Sequence, residues 1–277
     1  MDEHTWLEGP VGNTRRIGKQ FFFDYAQAHG LEVVRSGCRG LIPDFRDLAI
    51  DSAGVKTPIK DFYERTSEYE LDAWSEWRGV FKPFGTALAV LFSRRLQQLN
   101  VPLSALDTSR GITSEVVQLR HPESGKILQT AWIRELVGSK NVLYAGGYAV
   151  CAVPGHPSPC VKVVFPLPNG SAIVIMKPVV HPDGSLSVLS HGRSFGDPGF
   201  YFVVHGKDGS AWARYVRSLQ EGIRVYVGDS GVVRADHDLR IWDMEFLRLH
   251  YRLQKKIGLH AEENTRDLSL MGQTAQS

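Results

Sequence analysis

From Thr113 to at least Val233 the chain is a succession of short apolar runs broken by tight turns, and this rhythm constrains the fold more than any other feature. Before about Asp107 the pattern is different, reading as helices and loops. Runs of strands after runs of helices point to an α+β protein rather than to alternating βα units. The sequence therefore predicts an N-terminal helical layer over residues 1–108, packed on a curved, mainly antiparallel sheet or barrel-like cup over 109–258 with an internal pocket. A loose tail is expected over 259–277, the whole forming one integrated domain.

Turn signals divide the β-rich part. SEVVQLR and KILQTAWIREL flank HPESG, and CVKVVFPLP and SAIVIMKPVV flank Asn169-Gly170, each a hairpin pattern. HPDGS is a further turn, SLSVLS and GFYFVVH are two more strands, and AWARYVRSLQ is expected to form a short helix. IRVYV and GVVRA around GDSG make another hairpin. In DLRIWDMEFLRLHYRLQKKIG, Leu239, Trp242, Phe246, Leu249 and Leu253 recur at helical spacing, while Leu247, Leu249, Tyr251 and Leu253 alternate as in a strand. A long, bulged strand is the expectation there.

In the N-terminal region a helix is predicted from Asn13 or Thr14 to Gly30, where glycine accepts a left-handed cap. A second is predicted through IKDFYERTSEYELDAWSEW, whose aromatic residues are spaced largely by threes and fours. Residues 84–99 carry an apolar stripe flanked by Arg94 and Arg95, a pattern that suits a helix packed on the body or one lying on a membrane surface. The stretch is too short to span a bilayer.

Composition places the chain among ordinary globular proteins, at 43% hydrophobic and 22% charged residues. A formal net charge of +2 with mixed signs offers no basic stripe for phosphates, so nucleic acid is not an expected partner. The start, MDEHTWLEGPVGN, has acids where a signal peptide needs positive charge, and a cytoplasmic location is expected. Cys38, Cys151 and Cys160 are then free thiols. With only His156 between the last two, a metal site is not expected.

No phosphate loop, dinucleotide glycine pattern, His-Glu-x-x-His or cysteine cluster occurs, so no cofactor is expected. Candidate chemistry lies in polar residues set among aromatics. SHGRSFGDPGFY brings His191, Arg193, Ser194 and Asp197 into one glycine-rich loop. Its GRSFG matches the Gly-x-Ser-x-Gly pattern of serine hydrolases, although a strand rather than a helix follows. RADHD places His237 between two acids, which favour its charged form. On predicted strands, Arg134 shares a face with Trp132 and suits a carboxylate or polarised carbonyl beside an aromatic wall. Tyr148, Tyr201 and His250 are further candidate lining residues.

The function expected from these features is binding of a bulky, mostly apolar metabolite with cofactor-independent acid-base chemistry of the cyclase, isomerase, dehydratase or lyase type. His191 and His237 are the expected proton-transfer residues and Asp197 an orienting acid. Arg134, Arg193, Trp132, Tyr148, Tyr201 and His250 are expected to bind substrate. A non-catalytic carrier of lipid-like ligands, associated with a membrane surface through residues 84–99, is the competing class. A hydrolase using Ser194 is a third.

Overall fold

The computed structural model describes residues 4–12, 20–78, 112–136 and 142–256. Strands dominate it, at 51% against 14% helix. In chain order the described elements are α1 (Phe21–Ala28), β1 (Glu32–Val34), α2 (Thr57–Glu64), β2 (Tyr69–Trp77), β3 (Ile112–Arg120), β4 (Ile127–Leu136), β5 (Val142–Cys151), β6 (Cys160–Leu167) and β7 (Gly170–Val180). They continue as β8 (Leu186–Leu189), β9 (Phe200–His205), β10 (Ala211–Tyr215), β11 (Leu219–Val227), β12 (Val233–Ile241) and β13 (Met244–Lys255).

All thirteen strands belong to one open antiparallel sheet, ordered β1-β3-β4-β5-β6-β7-β8-β11-β12-β13-β2. A branch leaves it at β7, whose first half pairs with β9 and second half with β8, and β10 adds to β9. This overturns the α+β expectation of a helical layer packed on a sheet. Only two eight-residue α-helices are described, and the N-terminal region supplies the two end strands of the main strand order, β1 and β2. Nor does the sheet close as a barrel.

The misreading of β2 has a physical cause. Phe62, Tyr69, Trp74 and Trp77 mimic helical spacing only because Phe62 comes from α2 and the other three from β2, across the turn between them. From Leu71 onward the pattern has period two: Leu71, Ala73, Ser75 and Trp77 are half-buried while Asp72, Trp74 and Glu76 are exposed. AWARYVRSLQ is likewise strand, not helix. Asp208 accepts the Ser210 N–H and hydroxyl, and Gly209 takes φ 82°, so a tight turn folds Trp212 opposite Val204 and Tyr215 opposite Tyr201.

Over residues 239–255 alternation prevails. β12 and β13 are joined by the two-residue turn Trp242-Asp243, both at positive φ, with a register shift between Leu239 and Arg240. The helix predicted up to Gly30 is seen as α1, and Gly30 has φ 63°. Its predicted start at Asn13 or Thr14, the stripe over 84–99 and the tail from 259 lie outside the described residues.

Three apolar layers follow from strand alternation. On the outer face, Phe22 and Ala26 of α1 pack on Val117, Leu119, Ala131, Ile133 and Ala145. Beside them Trp6 and Leu7 cover Cys160, Val164, Ile173, Ile175 and Tyr201. Complete burial of a side chain the size of Phe22 contributes about 1.5–3 kcal/mol. The inner face holds the largest cluster, in which α2 and the preceding segment (Leu41, Phe45, Ile59, Phe62, Tyr63) pack against residues of β6, β7, β8 and β11–β13. Trp132 of β4 and Tyr251 of β13 border this one cluster although β4 and β13 are far apart in sheet order. The sheet therefore bends back on itself around its inner face.

Candidate functional site

The inner face is apolar except at one place. On β4 the alternation that sends Ala131 and Ile133 outward to α1 sends Thr130, Trp132 and Arg134 inward. Opposite them on β5 stand Tyr148, Gly146 and Tyr144. A Cβ at Gly146 would lie 2.8–3.1 Å from the Tyr144 hydroxyl and ring, so glycine is what lets the Tyr144 side chain fold back along its own strand. The two phenol oxygens are then 2.6 Å apart. Trp132 is edge-on to Tyr144 and donates its indole N–H to Ser114 Oγ at 2.7 Å.

The other half of the sheet supplies the remaining groups. Glu221 of β11 and His237 of β12 share the inner face with Ile223, and His237 Nε2 lies 2.8 Å from Glu221 Oε2. Tyr251 of β13 stacks on the His237 ring with centroids 6.4 Å apart.

Arg134 is the most unusual member. It is 8% exposed, its guanidinium lies 5.6 Å from the Trp132 ring centre, and Nε and Nη2 are buried without an acceptor among the described residues. Burial lowers its pKa, opposed by the neighbouring Tyr251, Tyr144 and Tyr148. The phenols move the other way. Burial pushes Tyr251 up to about 12, with Arg134 opposing and Glu221 adding to the shift. Tyr144 and Tyr148 are raised by burial first, with Glu221 contributing. At neutral pH the cluster thus presents neutral hydroxyls beside a guanidinium, a set rich in hydrogen-bond donors.

Four of the sequence-derived candidates meet here: Trp132, Arg134, Tyr148 and His237. The others lie apart from it. His191 is exposed beside Gly222, on the face opposite Glu221, where burial of its ring and then Arg240 lower its pKa. Arg193 is exposed in the same loop and lines an open cleft of about 500 Å³ with Arg217, Gln220 and Trp242. Tyr201 is buried in the outer layer, donating its hydroxyl to the Asp197 carbonyl. His250 points outward from β13, with Nδ1 2.7 Å from Asp236 Oδ1 and its ring stacked on Trp74.

Asp197 organises a turn. Its Oδ2 accepts the N–H groups of Arg193 and Ser194 and the Ser194 hydroxyl, and His156 Nε2 is 3.5 Å from Oδ1. The Gly192–Gly196 segment is therefore a loop whose polar residues satisfy its own backbone, and the Ser194 hydroxyl is directed at a carboxylate rather than an imidazole.

Tyr144, Glu221 and Tyr251 were missed as site residues. Tyr144 is two strand periods from Tyr148, and Glu221 is one period before Ile223, so alternation held the signal for both. Cys38, Cys151 and Cys160 are free thiols, and among the described residues no group of three or more His, Cys, Asp or Glu gathers as a metal centre.

The fold and site define a mostly β protein with a donor-rich polar cluster on the inner face of a bent antiparallel sheet. No known family and no solved structure matches the chain. It is similar to the "Uncharacterized membrane protein YndJ" of Bacillus subtilis (strain 168), with 27% identity over 248 residues, or 86% of this chain and 41% of that protein. The chain thus spans less than half the length of this relative. Among the described residues no helix is long and apolar enough to cross a membrane.

Proposed function

We propose that the chain binds a bulky, mostly apolar small molecule against the inner face of its sheet. The observation that carries this reading is the convergence of Trp132, Arg134, Tyr144, Tyr148, Glu221, His237 and Tyr251, from five strands, on a face that is otherwise hydrophobic. A few placed polar groups in apolar surroundings are what fix the orientation of a small ligand. Native mass spectrometry of the protein purified from its own host tests the reading. A retained organic molecule, released on unfolding, is expected. Bare protein that also takes up no apolar compound in solution would contradict it.

A second reading is favoured by the Glu221–His237 contact. An imidazole held by a carboxylate beside an apolar site is suited to moving a proton on a bound substrate, as isomerisation or elimination requires. His191, on the opposite face, has no part in it. Incubating the released molecule with ligand-free protein should then yield an isomer or elimination product, and H237Q should abolish the conversion.

A further inference from the structure

The inner-face cluster also indicates what kind of molecule it receives. Resting on the reading of that face as a ligand site, we propose that the ligand carries a carboxylate head, held by the Nε and Nη2 edge of Arg134, and an extended apolar body running from there toward Phe165 and the β9–β10 branch.

The edge matters because a guanidinium meets a carboxylate side-on through these two nitrogens, one to each oxygen. This chain uses that geometry elsewhere. Arg65 Nε and Nη2 reach the two oxygens of Glu68 at 2.9 and 2.7 Å, and Arg120 reaches those of Glu32 at 3.1 and 2.7 Å. Both of those pairs are solvent-accessible. On Arg134 the same edge is buried and has no acceptor among the described residues. A buried cation without an anion is expensive, so a site that keeps one is suited to an anion supplied from outside. Glu221, the carboxylate of the cluster, is already engaged by His237.

Two further donors agree. The Tyr144 and Tyr148 hydroxyls share one hydrogen between them, which leaves the second hydrogen of the pair free for a ligand oxygen. Thr130 Oγ1, on the face of Trp132 and Arg134 and opposite Tyr148, is also buried without a partner among the described residues. Guanidinium, phenol and hydroxyl together offer donors, and the carboxylate of the cluster, Glu221, is held by His237.

The apolar body follows from the sheet. Phe165 is edge-on to Tyr144 at 5.4 Å and stands opposite Ala172, which in turn stands opposite Phe202. Along β9 and β10 the same face continues through Val204 and Trp212. Phe202, Val204 and Trp212 are 43%, 51% and 60% exposed, so apolar side chains of the inner face reach the surface there, with Arg214 opposite Phe202 at the edge. A head at Arg134 and a tail leaving over this ledge fit one amphiphilic carboxylate.

The test uses the full chain stripped of bound lipid, titrated calorimetrically with decanoate, 1-decanol and butyrate. Decanoate is expected to bind at least tenfold more tightly than decanol, as a charge-assisted pair implies, and far more tightly than butyrate, which lacks the body. R134Q should erase the preference for decanoate over decanol. Y144F, which keeps the ring, should weaken decanoate several-fold and serves if R134Q does not fold. Equal binding of decanoate and decanol by the wild type would overturn the carboxylate head while leaving an apolar site standing. A preference that survives R134Q would overturn the assignment of Arg134. Binding of none of the three would overturn both this inference and the function it rests on.

Discussion

His237 Nε2 and Glu221 Oε2 lie 2.8 Å apart on neighbouring strands, facing the interior of the bent sheet. Neither residue can be removed without leaving the other a poorly solvated polar group. E221A is expected to destabilise the fold by about 1–3 kcal/mol. The double variant E221L/H237L should lose less than the sum of the two single leucine variants, with a coupling of about 0.5–3 kcal/mol. Urea unfolding of the four proteins measures it, and additive losses would show that the contact carries no energy.

Arg134 leads to an expectation of opposite sign. Its guanidinium is buried without an acid partner among the described residues, so replacing it with methionine, which fills a similar path, should stabilise the ligand-free protein by roughly 1 kcal/mol or more. The comparison is thermal unfolding of stripped protein. A loss of stability in R134M would mean that the arginine is a structural member of the core.

Gly146 lies beneath the Tyr144 ring. G146A forces a Cβ to within 2.8–3.1 Å of that side chain, displacing it and breaking the phenol pair with Tyr148. A loss of about 1–3 kcal/mol is expected, as for other overpacked interiors. Adding Y144L should recover part of it, because the obstructing ring is gone.

Trp242 and Asp243 both hold positive φ, 49° and 63°, in the two-residue β12–β13 turn. Non-glycine residues are strained there, and Asn-Gly is the pair that such turns prefer. W242N/D243G should raise stability by about 0.5–1 kcal/mol and leave ligand binding unchanged. An unchanged or lowered melting temperature would indicate that the exposed indole contributes packing.

Asp61 ties α2 to the sheet: Lys255 Nζ is 2.7 Å from its Oδ2, and the Tyr69 hydroxyl donates to the same oxygen. Burial raises its pKa, but the hydrogen bonds and charges of Lys255, Tyr69 and Arg65 outweigh that and lower it below the ordinary value of 3.8. A depressed carboxyl pKa stabilises the fold above the unfolded value and loses that contribution as pH falls through the folded one. D61N should therefore be less stable than wild type by about 1–2 kcal/mol at pH 7, with the gap closing below about pH 4. A gap independent of pH would sink the electrostatic account.

Parts of this molecule could be read from the chain because the signals were local. The turns at HPESG and Asn169-Gly170 do join strands, and Asn169 has the positive φ that the second requires. Alternation placed Arg134 beside Trp132 on one face of β4. What local pattern could not show is which strands lie across the interior from one another. Glu221 and Tyr251 join Arg134 only because the sheet bends, bringing β11 and β13 over β4.

The loop from His191 to Asp197 misled for the converse reason. It has the highest local density of polar residues, yet the Asp197 carboxylate serves the loop's own backbone N–H groups, and His191 sits on the outer face. β2 was read as helix since aromatic spacing was counted across the end of α2, where the chain changes direction.

A crystal structure of the protein with decanoate bound tests the central claim most directly. The carboxylate oxygens should lie about 2.7–2.9 Å from Arg134 Nε and Nη2, with the alkyl chain passing Phe165 toward Phe202. Decanoate seated elsewhere on the molecule, with the Arg134 edge closed off by one of the chain's own side chains, would contradict it.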